Sequence, residues 1–404
     1  MRLKLAFVII CITLINSKVH GSGGDCTYEF SDENGYRCTL NIRDSHYDSA
    51  FTEIGGTHLE GKTDDDVVGV EVYRSVKSPD LPAFVCNKFK NLTFFGLYIL
   101  DLTELPEDSF VNCKNILDIK LGTSPFFGQD IEKLPKNLLA GNPKLEVFEA
   151  KLHELKTLPE KFFANNPELR KISLIENKIR TLPADIFKPL VNLKELYLSE
   201  NSLRKLNPEW FETLVNLEIL YFYKNKIADI PKNTFATLTN LKDLWLSTNK
   251  LTVIHSDSFG VHPNLESVNV VENDLAAIDE KFIDNIGITN FLFDDMNCAE
   301  DRYISRNGYK TELKKVLKRC FDNYVPRDEH VTAATVNERT DADESTTTAA
   351  SPAGLAEGQK VIKEFFTFFS TLANQLNEAA KAEAKGEAEA EVDADDDDED
   401  EDEN

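Results

Sequence analysis

The chain has 404 residues, 41% of them hydrophobic, and a formal charge of -25 at pH 7. The charge is uneven: residues 331–404 hold 21 acidic against 5 basic side chains, net -16, which leaves the rest only mildly acidic. This balance does not indicate the basic footprint of a nucleic-acid-binding protein, and no stretch is long and apolar enough for a normal membrane span.

Residues 1–21 read as a secretory signal: Arg2 and Lys4 precede an apolar run from Leu5 to Ile15, and Val19 and Gly21 suit cleavage before Ser22. Secretion places the mature protein in an oxidising, extracellular setting. Cys11 leaves with the signal, so Cys26, Cys38, Cys86, Cys113, Cys298 and Cys320 remain, an even set that favours disulfides over metal ligands or a catalytic thiol. Cys26 and Cys38 close an expected N-terminal cap, residues 22–66, containing a small hairpin. Gly55, Gly56, Gly61 and Asp64 to Asp66 mark a loop-bearing edge of that cap. The three aspartates read as a solvated acidic turn, since the alternation of an EF-hand loop is absent.

From residue 67 to 293 one pattern repeats about every 24 positions. An aliphatic anchor is followed by apolar residues at plus three and plus five, often Asn at plus eight, and an aliphatic at plus ten. Leu193, Leu196, Leu198, Asn201 and Leu203 form one unit; Leu217, Leu220, Phe222, Asn225 and Ile227 the next; Leu241, Leu244, Leu246, Asn249 and Leu251 a third. Leu169 and Leu265 anchor flanking units in the same frame. Positions zero to five flank a short strand with alternate side chains inward, and the Asn amide satisfies backbone groups where the chain turns away. A single coil cannot bury its own apolar face, so the units must stack into a solenoid. Phe187, Phe211, Phe235, Phe259 and Phe282, six before the next anchors, fill the convex side.

The earlier units are less regular. Val67, Val70 and Val72 form the first repeat strand, and Leu92, Phe95 and Leu97 the second; the spacing from Ile116 to Leu145 stretches to 29 residues around Phe126 and Phe127. Cys86 sits in a Phe slot and Cys113 in the slot of Leu190, so both face the interior of adjacent coils at bridging reach; two buried free thiols are the alternative. Asn91-Leu92-Thr93 is a sequon and makes Asn91 a glycosylation candidate, beside an exposed strand face.

Side chains at plus one, two, four and six project from the concave face. At plus four the chain reads Lys120, Glu149, Ser173, Tyr197, Tyr221, Trp245 and Asn269, and Tyr223 adds an aromatic at plus six. Lys194, Glu218 and Lys242 frame this group with mixed charge. Tyr and Trp combine large area with a polar handle, as at protein-binding hot spots; packing against one another on a β face is the competing reading.

Residues 294–326 read as a C-terminal cap, with a helix from Tyr309 to Phe321 whose Cys320 bridges to Cys298. Residues 327–358, rich in Thr, Ser, Ala and Asp, read as a flexible linker. Residues 359–385 recover a helical period: Ile362, Phe365, Phe366, Phe369, Leu372 and Leu376 make an apolar face suited to a partner helix, to the solenoid, to self-association or to a membrane surface. Residues 386–404 form an acidic tail without expected structure.

The Leu-x-x-Leu-x-Leu-x-x-Asn-x-Leu unit at Leu193 to Leu203, its periodic copies and the cysteine-bearing ends resemble the extracellular leucine-rich-repeat family. The implied fold is α/β: a curved solenoid with a parallel β concave face, disulfide-stapled caps and a tail helix. The short Cys26–Cys38 cap resembles secreted insect members, including mosquito leucine-rich immune proteins. That resemblance implies innate-immune recognition or a scaffold, complexed through its tail helix with a complement-like thioester protein. The chain departs from longer immune members in having no cysteine cluster after the cap and no sustained heptad coiled coil. An extracellular structural or developmental adaptor and a host-interaction protein are the alternatives. The partner is an extracellular protein in each case, with no cofactor or metal implied. Catalysis has no footing, because GxSxG, HExxH, CxxC and phosphate-cradling glycine motifs are all absent.

Overall fold

A computed structural model describes residues 22–31, 35–42, 51–73, 78–100, 102, 104–123, 131–293, 297–299, 303–304 and 310–327. The signal segment, Phe126 and Phe127, the linker, the tail-helix residues Ile362 to Leu376 and the acidic tail lie outside them.

The chain opens with β1 (Ser22–Ser31) and β2 (Gly35–Ile42), an antiparallel hairpin, and β3 (Phe51–Gly55), which lies parallel to β1 on the outer side. From there the chain winds through β4 (Gly69–Val72), β5 (Phe94–Leu100), β6 (Asp118–Thr123), β7 (Val147–Lys151), β8 (Lys171–Ser173), β9 (Glu195–Tyr197), β10 (Ile219–Tyr221) and β11 (Asp243–Trp245). After β12 (Val253–Ile254) come β13 (Ser267–Asn269), β14 (Ala277–Ile278) and β15 (Asn290–Phe293), then β16 (Tyr303–Ile304). Among the described residues, fourteen of these strands make one sheet, in the order β16-β15-β13-β11-β10-β9-β8-β7-β6-β5-β4-β2-β1-β3. The strands from β2 through β4 to β15 are parallel neighbours, so the cap hairpin and the coils share one concave surface. β12 and β14 form a second, small parallel ladder at the side.

The repeat dictates this stacking residue by residue. Each short strand buries its middle residue: Ile172, Leu196, Leu220, Leu244 and Val268 are fully buried and stand in register, while the flanking positions are half-buried apart from the buried Ser173 and Asn269. The asparagines close the turn between coils. Asn201 Nδ2 donates to Leu174 O of the coil before and to Leu198 and Ser199 O of its own coil, while its Oδ1 accepts Ile179 N–H at 2.9 Å. Asn225, Asn249 and Asn273 repeat the arrangement. One residue earlier, Glu200, Lys224 and Thr248 take positive φ angles of 54°, 56° and 53°, which aims their N–H groups at carbonyls of the next coil.

On the convex side Phe163, Phe187, Phe211, Phe235, Phe259 and Phe282 are buried in a row, with ring centroids of 5.4 Å for Phe211–Phe235 and 4.6 Å for Phe259–Phe282. The first complete coil departs from the pattern, because α1 (Leu81–Lys88) replaces the Phe turn and carries Cys86 inward. The structure pairs Cys86 with Cys113 (Cα–Cα 4.8 Å), Cys26 with Cys38 (5.1 Å) and Cys298 with Cys320 (4.8 Å). Asp64 to Asp66 form a 3-10 turn capped by Thr63; Asp64 engages His58 and Lys88, and Asp66 engages Lys62.

At the other end α2 (Glu280–Asn285) leads to a close approach. A Cβ on Gly287 would sit 1.8 Å from Pro263 O, so only glycine permits the last coil to close after 23 residues instead of 24. The helix expected from Tyr309 to Phe321 is two helices, α3 (Lys310–Val316) and α4 (Lys318–Asp322); a ψ of 4° at Leu317 interrupts it. Leu313, Leu317 and Cys320 face the core, and the bend brings Cys320 to Cys298. A strap then runs back over the coils. Asn323 donates to Ala276 O, Tyr324 OH meets His255 Nδ1, and Arg327 binds Asp229, Ile230 O, Asp257 and Ser258.

Candidate functional site

The candidate site is the concave face, and strand register builds it. Lys120, Glu149, Ser173, Tyr197, Tyr221, Trp245 and Asn269 are direct cross-strand neighbours in that order. Side chains of equivalent position are therefore stacked at the spacing of adjacent strands, about 5 Å. Tyr197 and Tyr221 meet edge to face at 5.2 Å, and Tyr221 stacks on Trp245 at 4.7 Å with planes 18° apart. Lys171 Nζ lies 5.6 Å from the Tyr197 ring centroid.

Both tyrosine hydroxyls are occupied from within the sheet. Tyr197 OH donates to Glu195 Oε2 at 2.9 Å, and Tyr221 OH donates to Asp243 Oδ2 at 2.6 Å. Burial first, then these carboxylates, push both phenols far above their ordinary range, so they stay neutral donors. The rings are thus fixed in orientation, with half-buried faces presented outward. Both readings of the ladder have a physical basis here: the rings pack on one another and also form one continuous aromatic platform. Tyr223, two residues beyond Tyr221, is half-buried.

The framing charges form their own ladder at plus one. Glu218 binds Lys242 at 2.7 Å and Lys194 at 3.7 Å, and all three stand at the platform's edge. Asn269 is different. It is only 8% exposed and its Oδ1 accepts Val271 N–H at 3.1 Å, so it closes the ladder and offers a ligand little surface. Trp245 Nε1 and Asp243 Oδ1 are buried without a hydrogen-bond partner among the described residues.

The sequence reading missed a second aromatic platform at the N-terminal end. Tyr73 and Tyr98 stack at 4.7 Å with planes 7° apart, and Tyr98 OH donates to Glu71 Oε1 at 3.1 Å. Arg37, supplied by the cap hairpin, approaches Glu71 at 3.6 Å and places its guanidinium carbon 4.7 Å from the Phe94 ring centroid. The Tyr98 ring lies over Gly96, where a Cβ would come within 2.8 Å of it. The signal was present: Tyr73 and Tyr98 stand six beyond Val67 and Leu92, the same offset that singles out Tyr223. Between the platforms lies Asp118, whose Oδ1 is buried without a partner among the described residues; burial pushes its carboxyl up to about 6.

Asn91 is exposed in the turn before its strand, and its Nδ2 donates to Asp65 O at 2.8 Å. Asn192, Asn216, Asn240 and Asn264 hold the same position and make the same bond to the preceding coil. A sequon search does not see that structural use. Among the described residues no group of three His, Cys, Asp or Glu is arranged to hold a metal, and no helix is long and apolar enough to cross a membrane.

The leucine-rich-repeat family model matches residues 143–203, 167–227 and 216–275, all within the coils. No curated protein matches the chain. Solved structures similar to it include a chain of the Drosophila Toll–Spatzle complex, at 26% identity and a TM-score of 0.49, over 61% of this chain and 36% of that one. The glycosylated form of that complex aligns at 22% identity and a TM-score of 0.45, over 60% and 40%. A leucine-rich-repeat protein of Leptospira interrogans aligns at 19% identity and a TM-score of 0.46, over 67% and 77%. This chain spans 40% or less of the Toll-complex chains it matches. Residues 143–275 are leucine-rich repeats, and the earlier coils and the cap hairpin continue the same sheet.

Proposed function

We propose that this is a secreted recognition module that binds an extracellular protein on its concave face. The observation that carries the reading is the Tyr197–Tyr221–Trp245 platform, whose tyrosine rings are held by Glu195 and Asp243 and whose Trp245 ring stacks on Tyr221 before any partner arrives. Ordering side chains on association costs free energy, so rings already held in place convert more of their buried area into affinity. Lys194, Glu218, Lys242 and Tyr223 supply the rim, and the Tyr73–Tyr98 platform a second contact at the far end. Three disulfides support an oxidising compartment. Within this class we read innate-immune recognition first, from the resemblance of the caps to insect immune leucine-rich proteins, with Asn91 as a glycan site.

The test is affinity capture from the source fluid, followed by measured affinity of each identified partner for wild type and for Y197A/Y221A/W245A. Loss of a hot-spot cluster weakens binding by about 2 kcal/mol or more, roughly thirtyfold. A triple variant that folds normally and holds every partner at wild-type affinity removes the Tyr197–Tyr221–Trp245 platform, and with it the observation that carries this reading.

A further inference from the structure

A second surface lies at the side of the coils, just after the asparagine turn. There the residue nine beyond each anchor donates its backbone N–H to the preceding coil: Lys178 to Leu155 O at 3.0 Å, Ser202 to Ile179 O at 2.9 Å, Lys226 to Leu203 O at 2.9 Å and Lys250 to Ile227 O at 2.8 Å. The tenth residue is buried, so the ninth and eleventh project on the same outer side. Lys178, Lys226 and Lys250 occupy position nine, and Lys156, Arg180 and Arg204 occupy position eleven; all are exposed. Lys205 stands exposed beside Arg204.

Nearby acids are already engaged. Glu154 binds Lys178, Glu132 binds Lys156 at 2.8 Å, and Asp229 binds Arg327 of the strap at 2.7 Å. The Glu132 carboxyl is held below its usual range by the hydrogen bond from Lys156, with Lys133 and Lys178 adding to the effect. Arg180, Arg204, Lys205 and Lys226 have no ion pair among the described residues. Asp274 likewise reaches Lys250 at 4.0 Å, so a chain of net charge -25 keeps four unpaired cations, Arg180, Arg204, Lys205 and Lys226, on three consecutive coils of this row.

We propose that this lateral row binds a linear sulfated polysaccharide. A row stepped at about 5 Å fits an extended polymer better than a compact anion, and guanidinium groups engage planar arrays of anionic oxygens bidentately. No aromatic side chain interrupts positions nine to twelve of these coils, so the stacking that single-stranded nucleic acid uses is missing from this face. Thr157 and Thr181 supply hydroxyls beside the cations instead. The surface is separate from the concave platform and stands or falls independently of it.

The test titrates heparin against the full-length protein at several salt concentrations. Wild type is compared with R180Q/R204Q/K226Q and with K310Q/K315Q/K318Q, which removes equal charge from the C-terminal cap. Each cation near a polyanion contributes roughly a factor of five, so the lateral variant binds about a hundredfold more weakly. Its plot of log affinity against log salt flattens by about two to three. The cap variant binds as wild type. Equal weakening of both variants overturns the proposal, as does absence of heparin binding to wild type near physiological salt. Equal affinity for fully desulfated heparin removes sulfate recognition, and tighter binding of a single-stranded oligonucleotide assigns the row to nucleic acid. The substituted side chains are exposed, and circular dichroism checks the fold. Should the triple variant be unstable, R204Q and K226Q singly give the same readout at about fivefold each.

Discussion

Replacing Asn225 with alanine tests the bonding logic of the coils directly. Asn225 is 7% exposed; its Nδ2 donates to Leu198 O at 2.9 Å and Phe222 O at 3.2 Å, and its Oδ1 accepts Leu203 N–H at 3.0 Å. Those losses are unequal. Leu198 O keeps a donor in Asn201 Nδ2 at 3.2 Å, and Phe222 O keeps one in Asn249 Nδ2 at 2.9 Å. Leu203 N–H loses the acceptor that Asn225 provides. A buried unsatisfied donor costs about 1–3 kcal/mol, and each weakened carbonyl adds a fraction of a typical bond, so N225A costs about 3 kcal/mol. Because a coil touches chiefly its neighbours, the effect is local. Thermal unfolding measures the total, and hydrogen exchange of peptides spanning residues 198–230 measures where protection is lost. N269A, which forfeits one acceptor for Val271 N–H, provides the comparison at about 1 kcal/mol. A loss below about 1 kcal/mol for N225A, or protection lost evenly from residue 143 to 275, refutes the reasoning.

Asp118 makes wild-type stability fall as pH rises from its unfolded value near 4 to its folded value of about 6, since the folded carboxyl binds its proton more tightly. D118N therefore gains on wild type across that window, by at most about 2–3 kcal/mol, and the gap is flat above it; melting curves between pH 4 and 8 that run parallel contradict this. The Cys86–Cys113 bridge closes a separation of 27 residues, for which chain entropy assigns about 3.5 kcal/mol, so C86A/C113A lowers the denaturation midpoint without altering the Tyr197–Trp245 platform. Unchanged stability in urea titrations would show the bridge to be energetically idle.

The repeat was legible because its register is a local property: Leu196, Leu220 and Leu244 are buried as the 24-residue spacing requires, and the same spacing puts Tyr197, Tyr221 and Trp245 side by side. The N-terminal platform was harder to see, because Arg37 reaches it from a hairpin that lies outside the repeat and joins the sheet beside β4. Likewise the strap could not be read from Arg327, whose partner Asp229 is 98 residues earlier and carries no periodic mark. The break at Leu317 left no sign in a pattern whose apolar spacing is continuous.

By itself the sequence determined a stack of parallel coils, an inward face of aliphatics and phenylalanines, and the order in which outward side chains meet. A period that matches one turn of the solenoid makes each neighbour in space an equivalent residue 24 positions away. Only the tertiary structure decided how those side chains are used. It tied the tyrosine hydroxyls to Glu195 and Asp243, buried Asn269 and one carboxyl oxygen of Asp118, and left Arg180, Arg204 and Lys226 without ion pairs among the described residues on an acidic chain. Burial and charge neutralisation depend on which acids reach which cations across coils and from the caps, and net composition sums over those distances.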